Sequence, residues 1–329
     1  MQRRDKILQL VGIPHSAFLS VVFGMMLASF PMGMFVVFHS SIGGDVTHAL
    51  PLGSLYEFQG ISLGVLSGIE LGDAFLILWA VYVVLFAISV LGPKAGFIKT
   101  VSAILSRGKI EAGSNYMVSI TQWFSITILV SAGIAYMQEW VGIPIVPPPV
   151  ENDLVQFFLI SLSPLAEEFG FRMLLIGLPL FALYGYKTTA RHFLKSLWSP
   201  SSSLHIYSSK KPLLLIVLVG VLFGFAHIAV GESWSEGKFA QATAGGIILG
   251  WAYFRFGFVA ALLIHWATNY FIFAYANFLA QINETSVTSA FSHPLITTME
   301  ILFLVSGILS VVVLVTGCYY SWSQRRLEV

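Results

Sequence analysis

Apolar positions in this chain do not alternate with polar ones, nor do they follow the one-sided stripe of a helix lying on a soluble core. They come in long unbroken runs separated by short polar stretches. A bilayer crossing takes about 20 mostly apolar residues, and by that measure the chain offers about eight candidate spans. They lie at 17–38, 72–91, 116–136, 154–184, 213–230, 240–254, 258–280 and 299–319. The pattern predicts an all-α, polytopic integral membrane protein. The fourth run is too long for one straight crossing, and Pro164 offers a place for a kink just before a pair of glutamates. The Pro144-Ile145-Val146-Pro147-Pro148-Pro149 stretch reads as a stiff spacer. It divides a region of about three helices, 1–150, from one of about five, 151–329. Residues 197–211, rich in Ser and carrying Pro200, read as an exposed loop.

Composition agrees with the pattern. Of 329 residues, 57% are hydrophobic and 10% charged, and the mean hydropathy is +0.82, outside the ordinary soluble range. A net charge of +1 leaves no basic surface for nucleic acid. Cys318 is the only cysteine, so an internal disulfide and a Cys-rich metal site are both excluded. Cytoplasmic loops of membrane proteins collect Lys and Arg, and here the charges alternate by side. One side holds Arg3, Arg4, Lys6, Lys94, Lys99, Arg107, Lys109, Lys187, Arg191, Lys195, Lys210, Lys211, Arg255, Arg325 and Arg326. The other holds Asp45, Glu57, Glu70, Glu139, Glu151, Asp153, Glu232, Glu236 and Glu284, with Lys238 as its one basic residue. Both termini are therefore expected in the cytoplasm, with the first run a retained signal anchor. Asn283-Glu284-Thr285, a glycosylation pattern, falls on the far side.

Against this apolar background a few polar residues stand out. Glu167, Glu168 and Arg172 lie within the fourth run, where a charge at mid-membrane costs at least ~2.5–3.5 kcal/mol. Glu168 and Arg172 are four apart and share a helical face, where they can pair. Glu167 points about 100° away and lacks such a local partner. The fifth run ends on His227, and the seventh carries His265 and Asn269 one turn apart. The other histidines, His15, His39, His48, His192, His205 and His293, are expected in loops or flanks. A structural ion pair and interhelical polar glue would account for each group alone. Together, a carboxylate, two imidazoles and an amide suffice to activate water and hold an oxyanion, if the three helices pack around one cavity. Gly246 and Gly250 on the sixth run form a small face that permits close helix approach.

The ordered set Glu167-Glu168-x-x-Phe171-Arg172, Phe223-x-x-x-His227, Gly246-x-x-x-Gly250-x-x-Tyr253 and His265-x-x-x-Asn269 resembles the CAAX prenyl protease and bacteriocin-processing family, also called the abortive-infection family. That family includes the Ras-converting type of CAAX endopeptidase. The likeness spans 153–270. It implies a glutamate-dependent intramembrane endopeptidase acting on a membrane-associated protein or peptide, with or without a lipid anchor. In that scheme Glu167 activates water, His227 positions it, His265 and Asn269 stabilise the oxyanion, and Glu168 with Arg172 supports them. No cofactor is implied. Zinc held by Glu167, His227 and His265 is the alternative enzyme chemistry. A proton-coupled transporter built on the same residues and a non-catalytic scaffold are the alternatives of other classes.

Overall fold

Lipid offers no partners for backbone N–H and C=O groups, so apolar runs of this kind satisfy them internally as helices. A computed structural model describes residues 3–53, 68–107, 115–187, 189–206, 209–229 and 234–327. Glu57, Lys109 and Glu232, used above in the charge pattern, and Val230 at the end of the fifth run lie outside the described residues. The helices longer than one turn are α1 (Arg3–His39), α2 (Leu71–Leu91), α3 (Phe97–Arg107), α4 (Tyr116–Trp140), α5 (Asp153–Glu168), α6 (Leu178–Tyr184), α7 (Ala190–Trp198), α8 (Lys210–Ala229), α9 (Lys238–Phe256), α10 (Phe258–Trp266), α11 (Ile272–Ile282) and α12 (Pro294–Leu327). Wide π-helical turns join α5 to α6 at Phe169–Gly177 and α10 to α11 at Ala267–Phe271. The fold is all-α, and the protein is a polytopic membrane protein.

Among the described residues, six helices are long and apolar enough to cross a bilayer: Leu10–His39, Leu71–Leu91, Tyr116–Trp140, Lys210–Ala229, Phe258–Ile282 and Pro294–Tyr319. The other two runs also form helix. The fourth is divided at Phe169, and the sixth, α9, carries Gly245, Gly246, Gly250 and several polar residues in place of aliphatic ones. Pro164 does not break its helix, because α5 continues through it to Glu168. The departure from α geometry begins at Phe169, directly after the glutamates.

The segment α10–α11 is the centre of the bundle. Its most apolar window is 78% buried within the protein, whereas that of α12 is 22% buried and faces outward. Aromatic side chains of α1 and α2 pack on the side of α10 that carries Trp266. The Trp266 ring stacks on Phe30 at 5.1 Å and on Tyr270 at 5.0 Å, with Tyr82 at 5.4 Å. Tyr270 donates to the Ser29 carbonyl at 3.2 Å and Tyr82 to that of Ser161 at 3.1 Å. On the other side α8 and α9 approach through glycine. A Cβ on Gly246 would sit 3.1 Å from the Gly220 Cα, and one on Gly250 2.9 Å from Ile216. Only glycine permits that separation, which sets how close α8 stands to the helices behind it.

Two histidines depart from expectation. His15 is fully buried within α1 and its Nε2 lies 3.1 Å from the Ser310 hydroxyl of α12. His192 is buried in α7. Both lie in short polar segments beside apolar runs, and packing by helices distant in sequence covers them.

Candidate active site

Glu168 ends α5 fully buried, and Arg172, one turn into the π segment, is also fully buried. The Arg172 Nε stands 3.0 Å from Glu168 Oε2, the pairing that a spacing of four residues permits. The second oxygen of Glu168 is taken as well: His265 Nδ1 lies 2.9 Å from Oε1. A carboxylate only accepts, so Nδ1 carries the proton and donates. Glu168 is thus held between a guanidinium and an imidazole: Oε1 accepts from His265, and Oε2 is ion-paired with Arg172 without a directed hydrogen bond.

Glu167 is placed differently. Its side chain is 27% exposed, its nearest ionisable neighbour is His265 Nε2 at 3.8 Å from Oε2, and that oxygen has no hydrogen-bond partner. The separation exceeds a hydrogen bond. Glu167 therefore lacks the close ionic partner that Glu168 has in Arg172.

His265 and Asn269 remain neighbours across the start of the second π segment, with Asn269 Nδ2 at 3.3 Å from His265 Nε2. With Nδ1 donating to Glu168, the Nε2 of a neutral His265 accepts from Asn269. Its Nε2 can donate to an oxyanion only in the imidazolium form. Asn269 has a second amide hydrogen for the same purpose. His227 lies in the last turn of α8, with its Nδ1 2.9 Å from the Phe223 carbonyl. A carbonyl also accepts only, which leaves the Nε2 lone pair of a neutral His227 free. Its charge is felt by Glu167, His265 and Lys238, placing it in the same electrostatic neighbourhood. All six candidate residues converge from α5, α8 and α10 and the two π segments.

Phe223 ties the set together, a role the sequence did not display. Its buried ring lies 4.8 Å beneath the Arg172 guanidinium carbon, with the rings of His227 at 4.5 Å, Phe171 at 4.9 Å and His265 at 5.9 Å, all edge-on. A ring face attracts a cation, and here it serves a guanidinium whose nitrogens make no hydrogen bond. Tyr253 has another place. Two turns beyond Gly246, it donates to the Leu197 carbonyl at 2.6 Å and anchors α9 to α7, away from the six residues. Among the described residues, no group of three His, Cys, Asp or Glu side chains is arranged to hold a metal ion.

Residues 151–271 match the family described as type II CAAX prenyl endopeptidase Rce1-like. This region is Rce1-like. The Rce1-like region contains all six candidate residues and ends with the second π segment, so α11, α12 and the helices before residue 151 stand outside the match. That description names endopeptidases, and the match covers 121 of the chain's 329 residues. No curated protein and no solved structure matches the chain.

Proposed function

We propose that the Rce1-like region hydrolyses a peptide bond of a membrane-associated protein or peptide by direct attack of water, with Glu167 as general base. The observation that carries this reading is the contrast between the two glutamates. Glu168 has Arg172 Nε at 3.0 Å from one oxygen and His265 Nδ1 at 2.9 Å from the other, while the His265 Nε2 beside Glu167 stands 3.8 Å away. Water bound between Glu167 and the free Nε2 of His227 gives its proton to Glu167 as it attacks the scissile carbonyl. Asn269, with His265 in its imidazolium form, donates to the oxyanion that forms. Glu168 and Arg172 fix the imidazole and the field around it. The protonated base then supplies the amine leaving group.

No step here is assigned to a metal. A zinc ion bound by Glu167, His227 and His265 would take the Nε2 that Asn269 now faces. With both termini in the cytoplasm, as the loop charges favour, His227 stands toward the opposite side of the bilayer.

The test is comparison of newly formed peptide termini in membranes of cells lacking the gene and complemented with wild-type or Glu167→Gln protein. Termini present with wild type and missing with the variant are expected, at equal levels of inserted protein. Identical termini in the two, with the phenotype lost in the variant, would overturn the protease reading and favour a proton relay through the same groups.

A further inference from the structure

The corner where α9 ends carries charged and polar groups that the six residues above make no use of. Here α9 meets Pro200–Ser203, a single helical turn that follows α7. Between them, beside the start of α8, lies an open cavity of about 350 Å³. Arg255 lines it together with Ser201, Ser202 and Ser209, and the rings of Trp251 and Phe254, 5.9 Å apart, form an apolar wall. No acidic residue lines the cavity. Among the described residues no carboxylate stands at ion-pair distance from Arg255. Ser209 directly precedes α8, so the positive end of that helix dipole adds to the guanidinium charge.

The walls are fixed to each other. Besides the bond from Tyr253 to Leu197, the Ser203 hydroxyl donates to the Lys195 carbonyl at 3.0 Å and that of Ser201 stands 3.5 Å from the Arg255 carbonyl. At the turn into α10, a Cβ on Gly257 would lie 2.8 Å from the Trp198 carbonyl. A second observation gives the depth of the cavity. On α7, Arg191, Leu194, Lys195 and Trp198 recur at spacings of three and four and share an exposed face, with Leu194 62% and Trp198 46% exposed, while His192, Ser196 and Leu197 are buried. A face that presents large apolar and basic side chains together suits neither water nor hydrocarbon alone. It suits the boundary, where rings and stems rest in lipid and the charges reach headgroups. The cavity begins at Ser201, three residues beyond Trp198, and so lies at headgroup level.

We propose that this cavity binds a phosphate group, supplied by the headgroup of an anionic phospholipid in the leaflet on the basic side of the chain. Arg255 pairs with the phosphate oxygens, a charge-assisted contact that a carboxylate-free lining leaves open to it. The serine hydroxyls donate to the same oxygens, and the aromatic wall receives the glycerol backbone. A free phosphate ester offers the same oxygens, and competition separates the two sources. The site is distinct from the six residues above and does not depend on the protease reading.

The experiment measures binding of an acyl-labelled, short-chain phosphatidylglycerol to the full chain in uncharged detergent, beside a diacylglycerol with the same acyl chains and label. A charge-assisted hydrogen bond predicts that phosphatidylglycerol binds about 10- to 100-fold tighter. Arg255→Gln should remove most of that preference. Lys99→Gln takes an exposed charge from the same side but away from the cavity, and should weaken binding by at most about fivefold. Ser209→Ala removes a donor and no charge and should weaken phosphatidylglycerol about 2- to 10-fold, which reads the site even where Arg255→Gln fails to insert. Inorganic phosphate and glycerol 3-phosphate serve as competitors. No displacement by either in large excess would support the lipid headgroup as ligand; displacement by glycerol 3-phosphate at the concentration of the lipid would support the phosphate site with a soluble ester as its source. Equal binding of the two lipids, a preference that persists in Arg255→Gln, equal losses in Arg255→Gln and Lys99→Gln, or no loss in Ser209→Ala would each overturn the proposal.

Discussion

Two groups of polar side chains are buried in this bundle, and they are finished differently. Between α1, α4 and α12 runs a neutral seam. His15 meets Ser310, Gln122 reaches the Ser310 carbonyl at 3.5 Å, and Ser125 and Ser306 share a hydrogen bond of 3.0 Å, while Ser125 also bonds back to Thr121 at 2.9 Å. Between α5, α8 and α10 the residues are charged, and the pairing stops one group short, at Glu167. The seam is what helix association in lipid uses to hold itself together. The second cluster leaves a buried oxygen of the partly exposed Glu167 side chain without a hydrogen-bond partner, an expensive arrangement that structure alone does not require. His15 Nδ1 in the seam also lacks a hydrogen-bond partner, so what sets the second cluster apart is that its open atom belongs to a carboxylate.

That contrast can be broken in graded steps. The largest effect is expected at Glu167. Glu167→Gln should lower turnover by about 10²–10⁴-fold, the range of a general base, with insertion and thermal stability unchanged; retained turnover would return Glu167 to a structural role. Next comes the saturated pair. Arg172→Met strands a buried carboxylate and should cost about 3–5 kcal/mol, read as a fall in the thermal midpoint in detergent. The double variant Glu168→Gln/Arg172→Met should lose less than that single one, and additive losses would show that the two do not act as a pair. A third step tests the helix contact that brings His227 to the others. Gly246→Leu must displace Phe223 or the α8 backbone, as overpacking costing about 1–3 kcal/mol, and activity should fall along with stability. The smallest effect belongs to the seam: Ser125→Ala should cost about 0.6 kcal/mol and leave kcat unaltered. A loss of activity there without a loss of stability would mean that the seam reaches the site.

Each of these regions was legible to a different depth. The Glu168–Arg172 pair followed from a spacing of four on one helix, because local geometry alone brings such residues together. The one-turn relation of His265 and Asn269 followed in the same way. The partner of Glu168 in α10 did not, since His265 lies 97 positions away and only packing sets which nitrogen faces which carboxylate. Nor did the burial of His15, whose partner is 295 positions distant. Pro164 shows the converse. Pro164, the expected place for a kink, lies inside a continuous helix, and the wide turn that positions Arg172 formed five residues later. The Pro144–Pro149 stretch read as a spacer, whereas its backbone at Pro144 and Val146 also holds Ser235, just before α9.

By itself the sequence determined the all-helical membrane architecture, since lipid leaves backbone polar groups no partner outside a helix and apolar length is written in the order of residues. It also determined the six polar residues whose burial would be costly, and the family resemblance they carry. The tertiary structure decided how those residues divide their work. Which glutamate is held and which is left open, which ring supports Arg172, and which hydroxyls share a cavity with Arg255 all depend on contacts between segments remote in sequence. Such contacts are fixed by side-chain volume and close glycine approach rather than by any periodicity a single run can show.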